Sequence, residues 1–280
     1  MKYSILSKKN ETSFEIQKRI AVVLDNNGFV FDEENPELVI VIGGDGTFLK
    51  AVHKYIAILD KVYFVGVKTG ALGYFFEFDN NKLDDLLDSL INNGESHFVE
   101  YSLLGADLLY ENNSVKKIYA VNEIRIENPF RTLVSEVYIN DELLETFRGN
   151  GLLVSSTLGS TGYNKSCKGA VVDPTLDLLQ LSEVNAINNN SYSSLQNSLV
   201  LNSTSRITFK GEFDKEIIGY DNKINESDNR LLSIDIYISD KKVRILRFSK
   251  LNFIKKLKAS FIKEWFYESI SNYFNRLVTT

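Results

Sequence analysis

A carboxylate set among glycines is the first feature of this chain that could do chemistry. Gly43-Gly44-Asp45-Gly46-Thr47 follows directly on Leu38 to Ile42, a continuous apolar run, and precedes a helical pattern. At a strand-to-helix turn, glycines let the backbone approach a ligand closely. The exposed N–H groups and the positive end of the following helix then favour phosphate. In an open α/β sheet this carboxyl end of the strands is also where ligands bind. A plainer reading makes Asp45 a turn or capping residue and Thr47 the helix cap. The turn is not a P-loop, since no Gly-Lys-Ser/Thr follows, and it lacks the full Gly-x-Gly-x-x-Gly dinucleotide pattern.

Two further segments carry ligand-type groups. Asn122-Glu123 lies in an apolar, strand-like run from Ile118 to Ile126. Neighbouring side chains on a strand face opposite ways, so one of the two could be purely structural. Thr157 to Ser166 is rich in Ser, Thr and Gly. It reads either as a flexible surface loop or as a nucleotide surface. In the second case Thr161, Tyr163 and Ser166 offer hydroxyls beside glycine backbone, and Tyr163 can stack on a flat ring. His53, on the helix after the glycine turn, reads as a surface or packing residue.

The elements that must position these groups change character along the chain. Tyr3 to Leu6, Leu38 to Ile42 and Val62 to Val67 are short apolar runs. They alternate with helical spacing over Ser13 to Leu24, Thr47 to Leu59 and Leu83 to Ile91. Strands separated by helices predict a doubly wound α/β domain on a mostly parallel sheet. From Phe98 the pattern turns to short alternating runs: Tyr101 to Leu109, Lys117 to Ile126, Val134 to Ile139, Leu143 to Arg148 and Leu152 to Ser155. Asn140-Asp141 is placed for a hairpin turn. A second β-rich series covers Leu199 to Phe248. We therefore expect an α/β unit over 1–97 and a β-rich, antiparallel, sandwich-like unit over 98–248 with a loop-rich central insertion. A closing helix over 249–280 would pack on the protein or on a neighbouring subunit. Phe253, Leu257, Phe261, Trp265 and Phe274 recur there at helical spacing among lysines, a pattern that membrane surfaces also attract.

Composition narrows the function classes. The 280 residues carry a formal net charge of −5, which argues against a nucleic-acid partner. Cys167 is the single cysteine and only two histidines occur, so neither a disulfide nor a zinc site is expected. Cys167 has no His neighbour in the sequence to activate it as a nucleophile. The N-terminal stretch lacks the apolar core of a signal peptide, and no run approaches the roughly 18 apolar residues of a membrane span. A cytoplasmic protein without a membrane partner is the expectation.

The glycine turn resembles the signature shared by NAD kinases, diacylglycerol and sphingosine kinases and, more loosely, 6-phosphofructokinases. Later segments narrow the resemblance to NAD kinases. Lys68-Thr69-Gly70-Ala71-Leu72-Gly73-Tyr74-Phe75 is similar to that family's Asn-Thr-Gly-x-Leu-Gly-Phe segment, and Val121-Asn122-Glu123 to its Asn-Glu motif. Gly149-Asn150-Gly151-Leu152 resembles its Gly-Asp-Gly-Leu, and Gly159-Ser160-Thr161-Gly162-Tyr163 its Gly-Ser-Thr-Ala-Tyr. The likeness is strongest from about residue 38 to 175.

The resemblance implies phosphoryl transfer from ATP, or polyphosphate in its place, to the 2′-hydroxyl of the adenosine ribose of NAD, with Mg2+ or another divalent cation accompanying ATP. A ribose hydroxyl is a poor nucleophile at neutral pH, and a carboxylate within hydrogen-bond reach can orient it and accept its proton. Asp45 is the catalytic candidate on both grounds. The nucleotide site implied comprises Gly44, Asp45, Gly46, Thr47, Phe75, Asn122, Glu123, Arg148, Asn150, Thr161, Gly162, Tyr163, Ser166 and Asn185. Within it, Asn122 would meet the adenine edge, Glu123 the ribose hydroxyls, and Ser166 and Asn185 the nicotinamide end. Asn188 and Asn189 resemble a family pair there, and Asp221 is a weaker candidate. No protein metal ligand is expected, and the family implies a homo-oligomer, dimer or tetramer.

The chain departs from the family pattern in three places. Asn150 replaces an Asp, which removes a charge near the nicotinamide riboside. Thr157-Leu158 replaces Thr-Pro and is expected to loosen the loop, and Gly162 replaces Ala. A lipid kinase would account for the basic aromatic tail but not for Asn122-Glu123 followed by Gly159 to Tyr163. A silent NAD(P) sensor would account for Asn150 but not for Asp45.

Overall fold

The computed structural model describes residues 1–70, 73–92, 94, 96–250 and 252–262. In chain order the elements are β1 (Lys2–Ser7), α1 (Glu11–Asn26), β2 (Val30–Phe31), β3 (Leu38–Gly43), α2 (Asp45–Lys54), β4 (Tyr63–Lys68), β5 (Phe78–Asp79) and α3 (Leu83–Ile91). Then follow β6 (His97–Tyr110), β7 (Val115–Ala120), β8 (Glu123–Glu127), β9 (Leu133–Ile139), β10 (Glu142–Gly149), β11 (Gly151–Ser156) and α4 (Tyr163–Ser166). The remainder comprises β12 (Leu178–Val184), β13 (Leu199–Asn202), β14 (Ile207–Phe213), β15 (Ile217–Tyr220), β16 (Lys223–Asn225), β17 (Leu231–Arg247) and α5 (Phe253–Phe261).

The N-terminal part is the doubly wound α/β unit that strand–helix alternation predicts. β2, β1, β3 and β4 lie side by side and parallel. Every residue of β3 is buried, as a strand covered on both faces must be. Its side chains divide by parity. Leu38, Ile40 and Ile42 pack with Ile16, Ile20 and Leu24 of α1 and Leu83, Leu86 and Leu87 of α3. Val39 and Val41 pack instead with Phe48, Leu49 and Val52 of α2. Burying an aliphatic side chain contributes about 1.5–3 kcal/mol, so this one strand anchors helices on both sides.

The long strand β17 joins this sheet to the antiparallel half. Its C-terminal end runs parallel to β4, and most of its length pairs antiparallel with β6. β14, β9 and β10 extend the sheet beyond it. A second, antiparallel sheet has the order β13-β12-β11-β8-β15-β16. The apolar faces of the two sheets meet in one core containing Leu104, Leu108, Ile124, Ile126, Phe147, Val154 and Phe209. This is the expected sandwich-like packing. Asn140 and Asp141, with φ of 49° and 69°, make the left-handed two-residue turn between β9 and β10.

Four expectations need correction. The run Lys117 to Ile126 is not one strand: it breaks at Val121-Asn122, and β7 and β8 belong to different sheets. The loop-rich central insertion also holds a strand that was not expected, β12, which lies inside the second sheet, paired with β11 and β13. The helix after the glycine turn begins at Asp45 and ends at Lys54, with a separate 3-10 turn over Ile56–Lys61. Leu158 is buried in the core beside Phe48 and Phe75, so the segment without proline is held by packing. Of the closing helix, α5 is described; Trp265 and the rest of the aromatic pattern lie outside the described residues.

Candidate active site

Asp45 is the first residue of α2, preceded by Gly44 in extended backbone as the helix cap. Neither Asp45 nor Thr47 supplies a side-chain cap; the N–H groups of Thr47 and Phe48 donate to the Gly44 carbonyl instead. The Asp45 carboxylate turns toward the backbone after Gly73. Tyr74 N–H donates to its two oxygens at 2.8 and 3.0 Å, and Phe75 N–H donates at 3.2 Å. The side chain is therefore held by a neighbouring loop while it sits at the positive end of α2. Phe75 contributes through its N–H; its ring stacks on Phe48 with centroids 4.4 Å apart.

Asn122 and Glu123 owe their position to the break between β7 and β8. Asp221, at the tip of the β15–β16 hairpin, accepts from Asn122 N–H at 2.7 Å and from Val121 N–H at 2.9 Å. His53 Nε2 lies 2.8 Å from the same carboxylate, which is fully buried. Asp221 N–H in turn donates to the Glu123 carbonyl at 3.0 Å. On the other side Ser156 N–H donates to the Asn122 carbonyl at 2.8 Å. A backbone bent between two sheets and stitched from both sides projects its side chains in one fixed direction.

Among the described residues, Asn122 Oδ1 and Glu123 Oε2 are buried without a hydrogen-bond partner. Buried polar atoms of this kind are uncommon in folded proteins and mark places where a ligand group fits. Burial, and then the Asp221 carboxylate, push the Glu123 carboxyl up to about 7, against the pull of Arg125.

Asp45, Asn122, Thr161 and Gly162 line one cavity of about 160 Å3 together with Tyr74 and Phe75, and Ser260 and Phe261 of α5 close it. Thr161 ends a 3-10 turn that begins at Leu158, and Tyr163 opens α4. The turn sits so close to the bend that a Cβ on Gly159 would lie 2.0 Å from the Asn122 carbonyl oxygen. From Glu123 a polar stripe continues along one face of β8 through Arg125 to Glu127, whose carboxylate accepts from the Tyr163 hydroxyl at 2.8 Å.

Arg148, Asn150 and Asn185 gather at the far end of this stripe, about 13 Å along the strand from Glu123. Asn150 N–H donates to the Val184 carbonyl, and its side-chain amide donates to the Asn128 carbonyl at 3.3 Å. An Asp at position 150 could not make that second bond. Arg148 stacks its guanidinium on Tyr192, 4.4 Å from the ring centre. Ser166 and Asn185 are exposed. Asn188 is exposed too, while Asn189 accepts from Ser191 and Tyr192 N–H within its own loop. Burial and then Glu127 raise the Cys167 thiol above its ordinary range, which leaves it a poor nucleophile.

Sequence reasoning undervalued Asp221 and His53. Asp221 takes the Asn122 N–H from 99 positions away, and His53 reaches that carboxylate from 168 positions away in the chain; no local motif announces either contact. The one local sign in the sequence is the polar triplet Tyr220-Asp221-Asn222, whose Asp takes a left-handed backbone in the structure, φ 51°.

The chain matches the family models of the ATP-NAD kinase N-terminal domain over residues 6–96 and of the ATP-NAD kinase C-terminal domain over residues 121–248. It is 36% identical over 264 residues to the NAD kinase of Pediococcus pentosaceus, covering 94% of this chain and 98% of that protein. Over 266 residues it is 36% identical to the NAD kinase of Streptococcus gordonii, covering 94% and 96%. Among solved structures, the fold superposes on yeast NADH kinase complexed with NADH at a TM-score of 0.81 and 16% identity, covering 95% of this chain and 89% of that one. It also superposes on an NAD kinase from Archaeoglobus fulgidus in complex with ATP at 0.72 and 20% identity, covering 92% and 99%. A buried strand, a glycine turn with its clamped carboxylate, and two family models that together span most of the sequence lead to one assignment: the chain belongs to the NAD kinase family.

Proposed function

We propose that this NAD kinase transfers the γ-phosphoryl group of ATP to the 2′-hydroxyl of the adenosine ribose of NAD, giving NADP and ADP. The observation that carries the reading is the shared cavity in which the Asp45 carboxylate faces Asn122, whose buried Oδ1 has no partner among the described residues. The Asn122 amide offers both a donor and an acceptor, which suits adenine N6 and N7. Glu123, ionised, accepts from a ribose hydroxyl. Asp45 then accepts the 2′-hydroxyl proton as the new oxygen–phosphorus bond forms and the β–γ bridging bond breaks. Gly44, Gly46 and Thr47 give the phosphates room at the start of α2.

Thr161, Gly162 and Tyr163 hold the middle of the dinucleotide along the β8 stripe. Arg148, Asn150, Ser166 and Asn185 meet its nicotinamide end. Among the described residues no group of three or more His, Cys, Asp or Glu side chains could hold a metal. Mg2+ carried on the substrate phosphates would neutralise charge on the transferred group and needs few protein carboxylates. Inorganic polyphosphate is the alternative donor.

A homo-oligomer, dimer or tetramer, belongs to the same proposal. Exposed Val134, Leu143 and Leu144 on the β9–β10 edge, with Phe130 beside it, support that reading. The division into units at 1–97, 98–248 and 249–280 is proposed as well, supported by the bounds of the two matched family models. No described helix is long and apolar enough to cross a membrane. The single cysteine supports a cytoplasmic setting.

The test is NADP formation from NAD, ATP and Mg2+, run beside Asp45→Asn. The wild type is expected to make NADP. Asp45→Asn is expected to bind NAD normally and to lose about 10²–10⁴-fold in turnover. Near-normal turnover in the variant would remove Asp45 from the mechanism.

A further inference from the structure

At one edge of the sandwich two carboxylates stand where the strand pattern calls for apolar side chains. Glu145 lies two positions before Phe147 on β10, and Glu183 two positions after Leu181 on β12; Phe147 and Leu181 belong to the core between the sheets. By strand parity both carboxylates point inward, one from each sheet. A single donor joins them: Leu195 N–H lies 3.2 Å from Glu145 Oε2 and 3.1 Å from Glu183 Oε1.

The remaining donors fall unequally. Glu183 also accepts from the Ser194 hydroxyl at 3.0 Å and from Gln196 N–H at 2.9 Å. Glu145 Oε1 is buried and has no hydrogen-bond partner among the described residues. Nor do the described neighbouring elements set a cation against Glu145. Residues 184–198 carry no charged side chain, and its partner on β9 is Val137. Glu136 of β9 accepts from the Tyr138 hydroxyl, Arg148 of β10 is stacked on Tyr192, and Glu142 is exposed. Two ionised carboxylates around one N–H repel each other, and a buried oxygen lacks a donor; one proton resolves both. Glu183, with three donors, keeps its charge, so Glu145 holds the proton. Burial, and then Glu183, push the Glu145 carboxyl up to about 7.

The loop gripped by this pair belongs to the site. It starts with Ile187 N–H on the Arg148 carbonyl at 2.7 Å and ends with the Ser198 hydroxyl 2.7 Å from that of Ser182. Between these points Tyr192 lies under the Arg148 guanidinium, and Ser194 to Gln196 are tied to the two carboxylates. We propose that Glu145 and Glu183 share one proton and act together as positioning residues, clasping this loop so that Arg148 and Tyr192 present a fixed platform to the nicotinamide end of the dinucleotide. This rests on the placement of that end given above and deepens it with a proton-dependent hold. As pH rises the proton leaves Glu145 for solvent. Because the folded carboxyl is held above its ordinary 4.5, the clasp is fully in place below 4.5 and is lost as pH rises through about 7.

Hydrogen–deuterium exchange of the full chain from pH 5 to 8, corrected for the intrinsic pH dependence, reads the clasp. Peptides covering 194–196 in wild type are expected to lose about tenfold or more of their protection across that range. Glu145→Gln, whose amide donates to Glu183 at every pH, should keep its protection throughout. Calorimetric titrations read the platform. At pH 8 Glu145→Gln should bind NAD about two- to fivefold more tightly than wild type, the strength of one exposed cation–π contact, and the two proteins should agree at pH 5. The probe 5′-AMP, which has the adenosine half alone, should bind both proteins equally at each pH, so titration of Glu123 cancels from the comparison.

Wild-type protection that does not change with pH, or a Glu145→Gln variant that loses it as wild type does, would overturn the clasp. Exchange as expected with equal NAD affinities at pH 8 would overturn the positioning role, because the nicotinamide end would then lie elsewhere. A wild type that makes no NADP contradicts the proposed reaction and leaves the exchange prediction standing.

Discussion

Replacing Asp221 by Asn keeps the shape of the side chain and removes its charge, so it tests whether the hairpin tip positions the Asn122-Glu123 bend. In the native chain the two carboxylate oxygens take the Asn122 and Val121 N–H groups at 2.7 and 2.9 Å, and His53 shares the second. An amide offers one oxygen, and its NH2 group must then face one of those backbone donors. Losing a charge-assisted bond costs about 1.5–3 kcal/mol, and stranding a buried donor a further 1–3, so about 2.5–6 kcal/mol is expected. For a chain of this length that lowers Tm by on the order of 10 °C.

A second readout separates positioning from plain destabilisation. After burial, the Asp221 charge is the largest influence holding the Glu123 carboxyl up near 7. Removing it lets Glu123 ionise at lower pH, so the pH midpoint for NAD binding should move down. Differential scanning calorimetry and NAD titrations from pH 5 to 8.5 read the two effects. An unchanged Tm with an unchanged midpoint would refute the positioning role outright. A lowered Tm with an unmoved midpoint would refute the electrostatic half.

Glu123→Gln should stabilise the protein at high pH. The folded-state carboxyl titrates near 7 rather than at the ordinary 4.5, so holding its proton stabilises the fold below 4.5 and that contribution is lost as pH rises through 7. The substitution should gain up to about 3 kcal/mol at pH 8 and nothing at pH 4.5, while NAD affinity falls; equal Tm values at both pH values would contradict this. Gly159→Ala should fail where Gly162→Ala succeeds. A Cβ at 159 meets the Asn122 carbonyl at 2.0 Å, whereas one at 162 lies 3.3 Å or more from any neighbour. A Gly159→Ala variant with wild-type NAD affinity would show that the bend is not pinned as described.

The parts of the structure legible in the sequence are those encoded locally. β3 reads as a doubly buried strand because its run is continuously apolar, and parity then assigns α1, α3 and α2 to its two faces. The Asn140-Asp141 turn shows in residue type, as does the glycine turn before α2. The segment from Lys117 to Ile126 misleads because its alternation continues across a change of sheet, and what breaks it is Asp221 taking the Val121 and Asn122 N–H groups. β12 was hidden for a different reason. Gln180 and Ser182 sit at fully buried positions, where Gln180 pairs with the Ala170 backbone and Ser182 with Asn164 and Ser198. A strand whose second face is polar but covered by loop reads as loop itself.

Charge is divided about the Tyr74–Phe75 peptide in a way that bears on catalysis. On one side Asp45, Glu123 and Asp221 surround the bend at Asn122; on the other, Arg247 and Lys256 line a second cavity of about 720 Å3. A hydroxyl losing its proton needs a carboxylate, and a phosphoryl group in transfer needs cations, yet the two sets would neutralise each other in direct contact. The peptide between them prevents that: its N–H satisfies Asp45 and its carbonyl satisfies Lys256, at 3.2 and 2.8 Å. Each charge is held by a neutral dipole, and the two are not locked into an ion pair with each other. Preorganised groups of this kind need little rearrangement at the moment of reaction. The sequence between Gly73 and Phe75 is thus constrained by its backbone rather than its side chains. Tyr74→Phe should therefore leave turnover close to wild type, and a large loss of turnover in that variant would mean that the hydroxyl, not the peptide, is what the site depends on.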